Sequence, residues 1–169
     1  ESWGIPLFSD CTENIMKKPV MAAVEAALDL VNGGFEHHDM FRYLKTGLPG
    51  LTYDQCCKME NYALAWNIRG RKWTSGTEWT MNPRGFSEEF DEDAQKELDE
   101  LNALRKTVVG PFVRFLERVP AGRELPAEEI VTALYDFLTG VGIDKMITLR
   151  RAEYIKRGEM KLAEEYAQL

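Results

Sequence analysis

The sequence predicts an all-α domain of six to eight helices with one long ordered loop. Three observations carry this reading. Apolar residues recur every three or four positions along most of the chain, helix-starting and helix-ending residues bound those runs, and the periodicity lapses over one long stretch, 69–85. Composition agrees: of 169 residues, 44% are apolar and 29% charged, with 13 Gly and 7 Pro, far from disordered or collagen-like chains. A chain of this length buries ~70% of its unfolded surface, enough for a core without metal or disulfide staples. The expected organisation is a single helical domain, 1–169, in which 1–86 carries the loop and 87–169 holds a long kinked helix and the C-terminal helices.

The first ten residues, ESWGIPLFSD, read as a strand or extended lead-in that packs on a neighbour. The start at Glu1 instead of Met reads as processing or as excision from a longer chain. Pro19 suits the first turn of a helix, where its missing N–H is one of the unsatisfied donors anyway. That helix runs to about Asn32, with Val20, Val24, Ala27, Leu28 and Val31 on one face and Gly33-Gly34 ending it. A shorter helix, about His38 to Thr46, turns Met40, Phe41 and Leu44 inward. Thr52 and Gln55 have the spacing of a capping box, with Leu51 placed to staple, opening a helix to about Asn67. Met59, Tyr62, Ala63 and Trp66 face its core side.

The run RGRKWTSGTEWTMNPRG, 69–85, has no periodicity, and a loop of this length in a small domain is often functional. Ser87 is placed to cap the longest element, along which Phe90, Ala94, Leu98, Leu101, Leu104 and Val108 repeat at helical spacing. Gly110-Pro111 is expected to kink or break it, with Phe112, Phe115, Leu116 and Val119 continuing as a second helix. Pro120 to Pro126 reads as a linker. Pro126 opens a helix with Ile130, Leu134, Phe137 and Leu138 on its face, ending at Gly140. Ile143 to Ile155 and Glu159 to Leu169 complete the chain, interrupted near Gly158.

Charge and cysteine content exclude several classes. A net charge of -7 rules out a uniformly basic nucleic-acid binder. The average hides a local asymmetry: positions 42–84 hold seven Lys or Arg against three acids, whereas 87–101 hold eight acids against one Lys. Cys11, Cys56 and Cys57 are odd in number and cannot make a disulfide framework, so a reducing cytoplasm is expected. No stretch reaches the ~20 apolar residues of a membrane helix, and no signal peptide opens the chain.

Catalytic motifs are sparse. Lys45-Thr46-Gly47 lacks the glycines of a phosphate-binding loop, and no Gly-x-Ser-x-Gly elbow occurs. His37-His38-Asp39 and Cys56-Cys57 contain metal-ligand types, but adjacent helical residues point about 100° apart and do not chelate together. The carboxylates Glu88, Glu89, Asp91, Glu92 and Asp93 form the ordinary solvated face of a helix. The loop differs. Arg69, Arg71, Lys72 and Arg84 alternate with Trp73 and Trp79, combining cations for phosphates with flat rings for bases. Two readings stand side by side: the tryptophans pin the loop to the helices beneath, or they contact nucleic acid together with the arginines.

The segment Phe41-Arg42-Tyr43-Leu44-Lys45-Thr46-Gly47-Leu48 is followed by Met59-Glu60-Asn61-Tyr62, then Trp66-Asn67-Ile68-Arg69-Gly70, Trp73 and Glu78-Trp79. Together they resemble the B subunit of the AddAB-type ATP-dependent helicase–nuclease of Firmicutes. Gly4-Ile5-Pro6-Leu7-Phe8-Ser9-Asp10 with Pro19 is similar to that family's entry into its second motor-like half. The resemblance covers about residues 4–85. Leu7, Met59 and Asn67 depart from the family's usual Tyr, Leu and Gly without removing a catalytic group.

The resemblance implies a parent with a degenerate motor and a C-terminal nuclease domain bearing an iron–sulfur cluster. It also implies a motor-active partner subunit, and ATP and magnesium in the complex that unwinds and degrades DNA ends before recombination. This chain would be an internal helical segment of the second motor-like half, with no catalytic residue and no cofactor of its own; its three cysteines do not fit the cluster pattern. The residues expected on DNA are Arg69, Arg71, Lys72, Trp73, Trp79 and Arg84, with Arg42 and Lys45 secondary. A helical protein–protein module with an apolar patch at Trp3, Ile5, Leu7 and Phe8 is the alternative from another class. A metal enzyme using His37 and His38 is a third.

Overall fold

A computed structural model describes residues 19–86 and 88–168, and the expectations resting on Trp3, Ile5, Leu7, Phe8, Cys11 and Ser87 lie outside them. The described residues form eight helices, α1 (Pro19–Asn32), α2 (His37–Leu44), α3 (Tyr53–Ala65), α4 (Arg71–Thr74), α5 (Glu92–Arg118), α6 (Ala127–Gly140), α7 (Ile143–Arg157) and α8 (Met160–Tyr166), and no strand. The fold class is all-α.

Local chemistry accounts for most boundaries. At α3, Thr52 Oγ1 accepts from the Gln55 amide at 3.2 Å while the Gln55 side chain accepts from the Thr52 amide at 3.0 Å, a reciprocal capping box. The face α1 buries is rotated from the expected one: Val20, Ala23, Ala26, Ala27 and Leu30 are covered, whereas Val24, Leu28 and Val31 are only partly so. Small alanines on that face let α2 and α7 approach closely.

Two expectations about α5 are corrected. Its N-cap is Asp91, whose carboxylate accepts from the Ala94 amide at 2.7 Å, so Phe90 precedes the helix and is 46% exposed. Gly110-Pro111 does not break it, and α5 runs unbroken for 27 residues. Proline in a helix interior costs about 3 kcal/mol through its missing N–H and ring clash. Tertiary packing offsets that cost here. Pro111 is buried against α6, where a Cβ at Gly140 would lie 3.4 Å from the proline Cβ, and the adjacent Phe112 is fully buried.

α5 is the spine of the structure, touching α3, α4 and α6, while α1 packs on α2 and α7 and α7 on α8. One aromatic cluster gathers around Phe112, with the rings of Phe35, Tyr43 and Phe137 at 5.7, 5.0 and 5.1 Å. A second one, Tyr62, Trp73 and Trp79, lies beneath the long loop.

Candidate nucleic-acid interface

The loop after α3 is held in place at both of its tryptophans. Trp73 is fully buried and its indole N–H donates to the Ile68 carbonyl at 3.0 Å. Trp79 is 6% exposed, donates to the Lys72 carbonyl at 3.1 Å, stacks on Tyr62 at 5.0 Å and meets Trp73 edge-on at 5.1 Å. Neither ring offers a face to a ligand, so both leave the set expected on DNA. A tryptophan buries more area than any other side chain, so two of them offset a substantial part of the entropy of ordering the loop.

Two polar residues of α5 complete the fastening, and both were missed by the sequence reading. Asn102 accepts from the Trp79 amide and donates to the Trp79 carbonyl, each at 2.9 Å, in the manner of a neighbouring strand. Arg105, 2% exposed, donates to the carbonyls of Thr77, Ser75 and Lys72 at 2.9, 3.1 and 3.4 Å, and its guanidinium sits 5.0 Å from the Trp79 ring centre. Burial lowers its pKa from the usual guanidinium value. The start of the loop is tied to the α1–α2 turn by the Gly70 amide, which donates to the Phe35 carbonyl at 2.9 Å. Gly70 itself has φ +59, a conformation that L side chains rarely adopt.

On this frame the cations separate into three groups. Arg42 is hydrogen-bonded to Asp29, Lys45 pairs with Glu60 at 2.8 Å, and Arg84 bridges Asp91 and Glu97 at 3.1 and 2.8 Å. In each case the hydrogen bond to the carboxylate holds the cation above its ordinary pKa. The acidic start of α5 therefore neutralises part of the basic stretch before it. Lys72 is held differently: its ammonium donates to the Asn67 and Trp66 carbonyls at 3.1 and 3.4 Å, capping the C-terminal end of α3, where the helix dipole favours a cation. Arg69 and Arg71 are exposed, and among the described residues neither side chain has an ion-pair or hydrogen-bond partner.

Next to Lys72 lies an aromatic pair. Trp66, expected in the core, is only partly covered; its indole N–H donates to the Asn82 carbonyl at 3.0 Å and its ring meets Phe86 with centres 4.0 Å apart. Phe86 is 82% exposed. Elsewhere, His37 packs its ring on Phe41 and lies 3.5 Å from the Asn67 side chain, and the buried Cys56 thiol donates to the Leu44 carbonyl at 3.6 Å. Among the described residues no three His, Cys, Asp or Glu side chains gather as metal ligands, and no helix is long and apolar enough to cross a membrane. An open cavity of about 460 Å³ lies between the α2–α3 connection, α5 and α7, with Lys145 and the Arg150–Glu153 pair among its lining.

These features define an all-α module that presents a cation-bearing loop on a rigid helical frame. No protein-family model matches the chain. Individual proteins do. The B subunit of the ATP-dependent helicase/deoxyribonuclease of Acetivibrio thermocellus is 34% identical over 168 residues, 99% of this chain and 14% of that protein. The proteins of the same name from Ruminiclostridium cellulolyticum and Clostridium acetobutylicum are 31% and 30% identical across the whole chain, which covers 15% of each. The chain belongs to the family of ATP-dependent helicase/deoxyribonuclease B subunits and spans about 14% of the length of such relatives.

Proposed function

We propose that this chain is a non-catalytic helical accessory segment of a subunit that processes DNA double-strand ends. It lines the path of the DNA and braces the motor-active partner subunit during recombinational repair. The observation that carries the reading is the pair Arg69 and Arg71, left without carboxylates on a loop that Trp73, Trp79, Asn102 and Arg105 hold rigid. Most other cations of the basic stretch have acidic partners within the chain, which leaves these two guanidinium groups in solvent and open to a phosphate. Positions held before binding lose little freedom on contact with phosphates, which makes such arginines effective. On this reading ATP, magnesium and the iron–sulfur cluster belong to other parts of the parent.

The test uses the full-length subunit in its two-subunit complex and a labelled forked DNA, with affinity measured against salt. Arg69→Glu with Arg71→Glu is expected to weaken binding and to flatten the plot of log K against log salt. The flattening should be ~0.7 to 0.9 for each phosphate that is no longer neutralised. An unchanged affinity and slope, with the complex intact, would remove the loop from the DNA path.

A further inference from the structure

We infer that Trp66 and Phe86 form a base-stacking platform for single-stranded DNA, flanked by Lys72, Arg71 and Arg69. The inference rests on the DNA-path reading above and goes beyond it by naming the strand form and the residues that meet its bases.

The rings that looked available for stacking, Trp73 and Trp79, are buried under the loop. The exposed aromatic surface lies at the two ends of the same loop instead. Trp66 closes α3, and Phe86 follows the loop's last glycine. Their rings meet with centres 4.0 Å apart at an interplanar angle of 51°. Phe86 leaves 82% of its surface in water. Trp66 rests partly against the core, but Phe86 buries little apolar area for the chain itself, so folding alone gives weak cause for the placement of the phenylalanine.

Trp66 is also fixed in orientation, because its indole N–H is held by the Asn82 carbonyl at 3.0 Å. The Asn82 side chain in turn accepts from the Arg84 amide at 3.0 Å and donates to the Glu88 carbonyl at 2.9 Å, stiffening the turn that carries Phe86.

Charge complementarity selects the occupant. The Lys72 ammonium lies 3.4 Å from the Trp66 carbonyl and uses no carboxylate, and Arg69 and Arg71 lie three and five residues along the chain from Trp66. At most ~18 Å of chain separates the Trp66 and Arg71 Cα atoms, so one short strand can stack on the rings and reach the guanidinium groups. Aromatic faces beside unpaired cations suit unpaired bases on a phosphate backbone. A duplex presents its phosphates to the arginines but keeps its bases stacked internally, leaving the platform unused. An acidic peptide would satisfy the cations but has no general use for two ring faces, and is the weaker fit.

The experiment measures binding of labelled oligo(dT) and of a blunt duplex to the full-length subunit in its complex, over a salt series. The variants are Phe86→Ala, Phe86→Trp and Arg71→Glu. Phe86 is exposed, so its removal does not threaten the fold. Phe86→Ala is expected to weaken oligo(dT) binding roughly 10-fold, the loss of one base–aromatic stack. Its salt slope and its duplex affinity should stay unchanged, and Phe86→Trp should retain oligo(dT) binding. Arg71→Glu is expected to weaken both DNAs and to lower the slope. Oligo(dT) affinity unchanged by Phe86→Ala, while Arg71→Glu still lowers it, would overturn the platform and leave the DNA-path reading standing. Insensitivity to both variants would remove that reading as well. Loss of complex assembly on Phe86→Ala, with oligo(dT) affinity of the isolated subunit unaltered, would make this face a protein contact and overturn the inference.

Discussion

Arg105 is a buried cation with no carboxylate within ion-pair distance among the described residues. Three loop carbonyls and the face of Trp79 supply the negative potential that stabilises it, and its fork reaches all three where an ammonium could not. Arg105→Met keeps the stem but leaves the Ser75 and Thr77 carbonyls without a donor, whereas the Lys72 carbonyl still accepts from the Trp79 indole. Each buried, unsatisfied acceptor costs about 1–3 kcal/mol, and water reaches some of them, so the expected loss is ~3 kcal/mol. It is read as a lower urea midpoint at constant slope, with Arg105→Lys recovering only part of it. A variant as stable as the parent would show that the tryptophans alone hold the loop. The signal for Arg105 lies in the sequence. The buried stripe Ala94, Leu98, Leu101, Val108, Phe112 places positions 102 and 105 on the covered side of α5, so polar residues there need buried partners. The roles of the tryptophans have no such signal. In the sequence Trp66 lies on the core side of a periodic helix and Trp73 and Trp79 in an aperiodic loop, yet tertiary packing leaves the first only partly covered and encloses the other two.

Helix boundaries carried by local chemistry were legible to within a residue or two. Pro19, the Thr52–Gln55 box and Gly158 act through their own backbone and immediate neighbours, and they end or begin elements as expected. Those decided by distant packing were not. Pro111 stays helical because α6 covers it, and the capping role expected of Ser87 falls to Asp91, which also has Arg84 as a partner. Asp91 thereby links the loop to the start of α5, and the link depends on pH with a definite sign. The Ala94 amide first, and then Arg84, hold its carboxyl below the usual aspartate value. A group with a depressed folded pKa contributes stability that is fully present above its unfolded pKa, about 3.9. That contribution is lost as pH falls through the still lower folded value. The Ala94 amide should therefore stay protected and its NMR shift constant down to about pH 4, changing only below that. Asp91→Asn keeps a good N-cap and loses the ion pair, so the acid-dependent shift should vanish while α5 still starts at the same turn. An Ala94 shift that titrates near pH 5 or higher would contradict the cap.

At the scale of the whole molecule, α5 makes the loop and the helices one unit. Its N-terminal half carries Asn102 and Arg105 under the loop, and its C-terminal half carries Phe112 into the other aromatic cluster, among Phe35, Tyr43 and Phe137. Because the helix does not break at Gly110-Pro111, strain or loosening at one end has no hinge at which to stop. Phe112→Ala removes a fully buried ring and is expected to cost about 3–5 kcal/mol, a large part of the total stability of a domain this size. For a chain near this length that is a fall in Tm of roughly 10 °C. If the spine couples the clusters, the fall appears equally in far-UV circular dichroism and in tryptophan emission, although the mutated ring is not among those stacked on Trp73 or Trp79. A helical transition that moves while the tryptophan transition stays would divide the structure at Pro111. Arg69 and Arg71 would then ride on a loop whose order is independent of the C-terminal helices. Coincident transitions instead tie the placement of those arginines to the integrity of the entire helical frame, as a preset binding surface requires.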